Sequence, residues 1–125
     1  MIQFHMSWNE FRASPLSSLE NRELTGVTFV MDYLQPQFNG PILSVFVWPI
    51  VSFPEQKLSL RSSGYRDALC NQIGKIVVAA VEEPKTKLAI HFADDATFEI
   101  SLKDEDQIGP EAAMLDDGTG KRCVW

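Results

Sequence analysis

The chain has 125 residues, 45% of them hydrophobic and 22% charged, and a formal net charge of -6. That length supports one hydrophobic core and not two, and the balance of residues is that of an ordinary globular domain rather than a disordered one. Its two cysteines, Cys70 and Cys123, form no CxxC pair, which excludes a zinc knuckle or a dithiol redox motif built from them alone.

Residues 1–23 read as an irregular or partly helical lead-in, anchored by Phe4, Trp8, Phe11 and Leu16 and punctuated by serines and Pro15. From Gly26 the chain turns to β-branched and aromatic residues, and Val27, Phe29, Met31 and Tyr33 alternate with Thr28, Val30, Asp32 and Leu34, so one strand is expected there. Asn39-Gly40-Pro41 supplies a turn. Ile42 to Trp48, apolar on both faces, predicts a central strand, after which Pro49 and Pro54 interrupt the ladder. Leu58 and Leu60 place a third strand at Lys57 to Arg61.

Ser62 and Ser63 offer N-cap hydroxyls before Tyr65, Leu69 and Ile73, which recur every four residues, and Gly74 sits where a helix end wants a left-handed residue. A helix is therefore predicted over 64–73, its apolar stripe on a sheet. Lys75 to Glu82 reads as another strand. In the hairpin from Lys87 to Leu102, a loop of Asp94, Asp95 and Ala96 would set Phe92 opposite Phe98, Ile90 opposite Ile100 and Leu88 opposite Leu102 on the buried face. His91 would then oppose Glu99 on the other face. Residues 116–120 form a turn into a last strand, Arg122 to Trp125, whose terminal indole is expected to dock. Phe29, Phe38, Phe46, Trp48, Phe92 and Phe98 occupy strand positions that the core must fill.

The expected class is thus α+β and mostly antiparallel, with two β-meander halves, 24–61 and 74–125, forming one sheet or a partly open barrel with the helix packed on it. The halves echo each other: Gly26 and Phe38 parallel Gly74 and Phe92, with an insertion around Glu82 to Lys87. A true duplication and convergent meander patterning both account for this.

Charge is distributed unevenly. Residues 1–93 carry eight acids and eight bases, whereas residues 94–117 carry nine acids against Lys103 alone. Such a surface repels phosphate backbones and anionic lipid, which argues against nucleic-acid and membrane partners, and attracts a basic protein. Solvation of loops by these acids is the plainer reading. The start of the sequence lacks the basic-then-apolar pattern of a signal peptide, and no run approaches the ~20 apolar residues of a membrane span. A cytoplasmic protein with reduced thiols is expected; Cys70 and Cys123 could pair only if the fold brings them together.

Chemistry-bearing motifs are sparse. His91, beside Glu99 and the Asp94-Asp95 turn, is the one candidate for a metal or acid-base centre, and a plain cross-strand His-Glu pair explains it as well. The glycines form neither a dinucleotide nor a phosphate loop, Ser62-Ser63-Gly64 is no nucleophile elbow, and 116–120 lacks the ligand pattern of an EF-hand. No cofactor and no catalytic residue is implied. Trp48-Pro49 with Phe53-Pro54 is the one apolar cluster placed to stay exposed at a sheet edge, as a partner surface or a homodimer seam.

Several segments resemble a loose set of small bacterial proteins of unknown function built from two similar β halves. The residues concerned are Gly74 to Val81, the Leu-x-Ile-x-Phe-x-Asp run from Leu88 to Asp94, Phe98-Glu99-Ile100-Ser101-Leu102, and Gly109-Pro110-Glu111-Ala112-Ala113. Together they span residues 24–125. Some of those proteins look like immunity proteins that neutralise toxins, and the pattern assigns no functional residue. The reading is a non-enzymatic protein-binding module whose partner surface comprises Asp94, Asp95, Asp104, Glu105, Asp106 and Trp48. The alternatives are a metal-dependent enzyme or ligand binder centred on His91, and a homodimeric structural subunit.

Overall fold

The alternating apolar pattern folds, in a computed structural model that describes residues 14–125, into ten strands, one α-helix and two 3-10 turns. The anchors Phe4, Trp8 and Phe11 lie outside the described residues. In chain order a 3-10 turn (Pro15–Leu19) leads to β1 (Gly26–Val30), β2 (Tyr33–Gln37), β3 (Ile42–Val45), β4 (Ile50–Ser52) and β5 (Lys57–Leu58). The helix α1 (Tyr65–Cys70) follows. It leads to β6 (Val77–Glu83), β7 (Lys87–Phe92), β8 (Thr97–Ser101), a second 3-10 turn (Asp104–Asp106), β9 (Ala113–Asp116) and β10 (Arg122–Val124). All strand pairs are antiparallel, and no helix among the described residues is long and apolar enough to cross a membrane.

Two five-stranded sheets result, ordered β1-β2-β3-β9-β10 and β6-β7-β8-β4-β5. Each half of the chain therefore gives a three-stranded meander to one sheet and a two-stranded hairpin to the other. The halves are interlocked rather than side by side. A single core joins the sheets: Leu34, Leu43, Val45 and Leu115 of the first meet Val51, Leu88, Ile90, Phe98 and Ile100 of the second, with Leu16, Leu19, Tyr65 and Leu69 from the lead-in segments. Burying these side chains is the main force that closes the two sheets on each other.

The exchange obeys a two-fold pattern down to single hydrogen bonds. Asn21 N–H donates to Val77 C=O (2.8 Å) and Gly74 N–H to Leu24 C=O (2.7 Å); Val77 N–H donates to Arg22 C=O and Leu24 N–H to Lys75 C=O (2.9 Å each). Swapping residues 21–24 with 74–77 maps this set onto itself. Asn21 (φ 68°) and Gly74 (φ 93°) share the left-handed conformation, and Leu24 and Val77 are both fully buried. The strand registers continue the match, setting Leu34 against Leu88, Phe38 against Phe92, Leu43 against Phe98 and Val51 against Leu115. The pairing of Phe38 with Phe92 is as expected from the sequence, but Gly26 corresponds to Ala79 and Gly74 to Asn21. Taking the two glycines as equivalent created the need for an insertion; small differences in the turns suffice.

Several local expectations are corrected. The stretch from Gly26 to Leu34 is not one strand, because Met31-Asp32 reverses the chain and β2 folds back on β1. A short strand, β4, fits between the two interrupting prolines, and β3 ends at Val45 because the chain then crosses to the other sheet; its central position is as expected. The helix stops at Cys70, its start is Gly64 in a left-handed conformation without side-chain capping, and Ser62 Oγ instead accepts from Ser59 N–H (2.9 Å). Its stripe is Tyr65, Ala68 and Leu69, which leaves Ile73 43% exposed. Phe29 is 38% exposed at the outer strand β1 instead of filling the core, and the Arg66 guanidinium lies over its ring at 6.0 Å.

The register of the β7-β8 hairpin also differs. Its loop is Ala93-Asp94-Asp95, closed by Phe92 N–H to Ala96 C=O (2.8 Å) and Asp95 N–H to Phe92 C=O (3.1 Å), with Asp95 left-handed at φ 71°. Ile90 therefore opposes Phe98, Leu88 opposes Ile100, Ala89 opposes Glu99 and His91 opposes Thr97. Partners shift by two positions, so every side chain keeps its expected face. Phe92 and Phe98 still meet edge-on, ring centroids 4.8 Å apart. Trp125 docks as expected: its side chain packs against the core, its backbone N–H donates to Ala113 C=O (2.9 Å) and its carbonyl accepts from Ala112 N–H (2.7 Å).

Candidate functional site

Where the chain crosses between sheets, side chains from three separate segments line a groove of about 380 Å³. Register builds its floor. Leu34 pairs with Val45, so Tyr33 and Phe46 project beside one another at the end of the first sheet, ring centroids 5.3 Å apart and planes inclined at 52°. Trp48 continues that floor along residues 46–49, the crossover from β3 to β4. Met31 and Asp32, at the β1-β2 turn, form one wall. Ile108, Gly109, Pro110 and Glu111, from the second crossover at residues 102–112, form the other. Phe46 N–H donates to Ala112 C=O (2.8 Å), which fixes that wall against the floor.

The groove is apolar with an acidic rim. Met31 is 88% and Ile108 82% exposed, values that no contribution to the core explains. Among the described residues, Asp32 and Glu111 are its only charged lining residues, and neither has an ion-pair partner. Its size and composition match those of sites that take a small molecule or an anchoring side chain. Of the candidate site residues that the sequence offers, Trp48 alone lines it. Phe46, expected in the core, is only half-buried and lines the groove as well. Tyr33 and Met31 read as members of one strand, Asp32 and Glu111 carry no local signal, and Gly109-Pro110-Glu111 stands out only by its resemblance.

The acidic candidates sit at the two ends of β8. Asp94 and Asp95 sit in the loop before β8, while Asp104, Glu105 and Asp106 follow its far end, on the order of 15 Å away for a strand of this length. Asp94 is a clasp: its carboxylate accepts from Lys75 Nζ (2.6 Å), Gln72 Nε2 (3.1 Å) and the Ala96 amide (3.2 Å). Burial opposes its ionisation, but these hydrogen bonds and the Lys75 charge outweigh that and hold its carboxyl below the usual carboxylate range. Asp95, Asp104 and Glu105 point to solvent, and Asp106 accepts from Ser101 Oγ (2.6 Å). The 104–106 turn leads directly into the Ile108–Glu111 wall, so these three acids adjoin the groove along the chain.

His91 and Glu99 do not oppose each other as expected. His91 Nδ1 lies 2.9 Å from Thr97 Oγ1, and Glu99 pairs with Lys57 Nζ at 3.5 Å. Among the described residues, no three His, Cys, Asp or Glu side chains gather as metal ligands would. Cys70 and Cys123 are both free thiols; burial, with the nearby Glu82 charge, pushes the Cys123 thiol up. Tyr65 is deeply buried and its hydroxyl donates to Pro49 C=O, so burial raises its phenol well above the ordinary value, and it stands as a structural tie beneath the crossover.

Comparison with protein-family models finds no match, and neither the curated proteins nor the solved structures include one that matches this chain.

Proposed function

We propose that the protein is a non-enzymatic binding module that engages a basic segment of another protein through this groove and the acidic crossover beside it. The observation that carries the reading is an aromatic-floored apolar groove whose only charged lining residues are carboxylates. Large apolar side chains held in solvent at the rim of such a groove mark an interaction surface. The chain's net charge of -6 speeds encounter with a cationic partner, while the apolar floor holds it once docked. Asp104, Glu105 and Asp106 serve as the approach surface, Asp32 and Glu111 as the rim, and Trp48 as part of the floor. Masking the cationic site of a toxin, in the manner of an immunity protein, is one form that this activity takes.

Panning a displayed random-peptide library against the full chain tests the reading. The enriched sequences should be rich in Lys and Arg, bind about tenfold more weakly to the D32N/E111Q double variant, and weaken as salt rises from about 50 to about 500 mM. Enrichment of neutral or acidic peptides overturns the proposal. So does binding that ignores both the double variant and salt, or concentration-dependent dimerisation that occludes Trp48.

A further inference from the structure

We infer that the groove selects an arginine side chain, carried next to an apolar residue on an extended segment of the partner. This inference rests on the proposed function and names the chemistry that the site reads. Tyr33, Phe46 and Trp48 line the groove, the negative potential of an aromatic face attracts a cation, and the rings of Tyr33 and Phe46 are inclined at 52° rather than stacked in parallel. Asp32, from the β1-β2 turn, and Glu111, from the second crossover, both line the same groove. A flat cation lying on the rings therefore reaches carboxylate oxygens at its edge.

A guanidinium satisfies both requirements. It is planar and weakly hydrated, so it stacks on aromatic faces with little desolvation cost, and its fork of N–H donors matches a carboxylate. A lysine ammonium is compact, strongly hydrated and binds as a point charge. The molecule already makes one such contact internally, with the Arg66 guanidinium over the exposed Phe29 ring. Among the described residues no lysine or arginine lines the groove, so none of them competes for the carboxylates. Its volume exceeds one side chain, and Met31 and Ile108 flank the aromatic floor, so the remaining space suits an apolar neighbour of the arginine.

Titrating the full chain by NMR with three capped tetrapeptides, Ala-Leu-Arg-Ala and its citrulline and lysine counterparts, tests the inference. Citrulline keeps the shape of arginine and removes the charge. The arginine peptide should bind at least about tenfold more tightly than the citrulline peptide and about threefold more tightly than the lysine peptide. Its shifts should centre on the Trp48 indole and the Ile108 and Glu111 amides. Both Trp48→Ala and the solvent-facing E111Q should abolish the preference for arginine over citrulline; E111Q keeps the test valid if Trp48→Ala loosens the fold. Equal binding of lysine and arginine overturns the inference and leaves the proposed function standing. Equal binding of citrulline, or shifts centred elsewhere, overturns the inference as well. Failure of every basic peptide, here and in the library, defeats the function itself.

Discussion

Replacing Asp95 by glycine should stabilise the protein, and the neighbouring substitution Ala96→Gly should do the opposite. Asp95 closes the β7-β8 loop with φ 71°, donating its N–H to Phe92 C=O. A left-handed conformation costs an L-residue roughly 1–2 kcal/mol, less for Asp, and glycine removes that cost. Glycine's greater freedom in the unfolded chain offsets roughly 0.5–1 kcal/mol of the gain. The net effect is a gain of about 0.5 kcal/mol, or about 2–3 °C in Tm for a domain of this size. Ala96 is fully buried and extended, so its replacement by glycine loses packing and adds unfolded entropy, a cost of about 1 kcal/mol. With a loop of Asp94, Asp95 and Ala96, the left-handed residue would be Ala96 and both signs would invert. Urea unfolding at constant m-value measures the pair, with Asp95→Asn separating the loss of charge from the backbone effect. A destabilised D95G together with a stabilised A96G would falsify the observed register.

Asp94 predicts an acid-sensitive clasp. A carboxyl held below its ordinary value contributes stability that is complete above the unfolded pKa of about 3.9 and is lost as pH falls through the lower native value. Asp94→Asn should therefore lower the urea midpoint at pH 7, with the gap to the native chain closing in acid; a gap constant from pH 7 to below about pH 3 would rule this out. Tyr65→Phe leaves the Pro49 carbonyl without its buried donor and should cost about 1–3 kcal/mol, whereas a neutral result would mean that water replaces the hydroxyl. Phe38→Ala and Phe92→Ala remove equivalent buried rings and should each cost about 3–5 kcal/mol. The second should exceed the first by about 0.5–1.5 kcal/mol, because among the described residues only Phe92 also loses an edge-on partner, Phe98; the reverse order would contradict the packing.

Faces were legible in the sequence where turns were not. Alternation from Lys87 to Leu102 assigns Leu88, Ile90, Phe92, Phe98 and Ile100 to the core whatever the loop, since any register that keeps those faces differs by two positions. The choice between Asp95 and Ala96 as the left-handed residue had no glycine to announce it. Met31-Asp32 likewise lacks the Asn-Gly or Asp-Gly signature of a tight hairpin, so two short strands read as one. The groove was harder still. Its residues come from three separate segments, and among the candidate site residues only Trp48 carries a hint, through the proline that follows it. Asp32 looks like an ordinary strand-surface acid until β2 folds back, and the nine acids of residues 94–117 are divided among the β7-β8 loop, the second crossover and the β9-β10 hairpin, with Glu99 on β8.

The interlocked halves offer a physical criterion for which residues the fold requires. Core positions occur as matched apolar pairs, Leu24 with Val77, Leu34 with Leu88, Phe38 with Phe92 and Val51 with Leu115, because each pair fills equivalent space on either side of the two-fold pattern. The crossovers break that rule. Residues 46–49 carry the chain from β3 to β4 by a short path, which shows that the passage between sheets needs no more, yet residues 102–112 make the equivalent passage from β8 to β9 by a much longer one. The added stretch contributes the exposed Ile108 and the carboxylate of Glu111 to one side of the groove, and Asp104, Glu105 and Asp106 to its approach. Ordering extra backbone and holding an apolar side chain in water both cost free energy that the core does not return. A partner that covers Ile108 and meets the carboxylates would offset that cost. Under the proposed function, the departure from symmetry and the groove coincide for one reason: the longer crossover would serve binding, and the shorter one shows what folding alone demands.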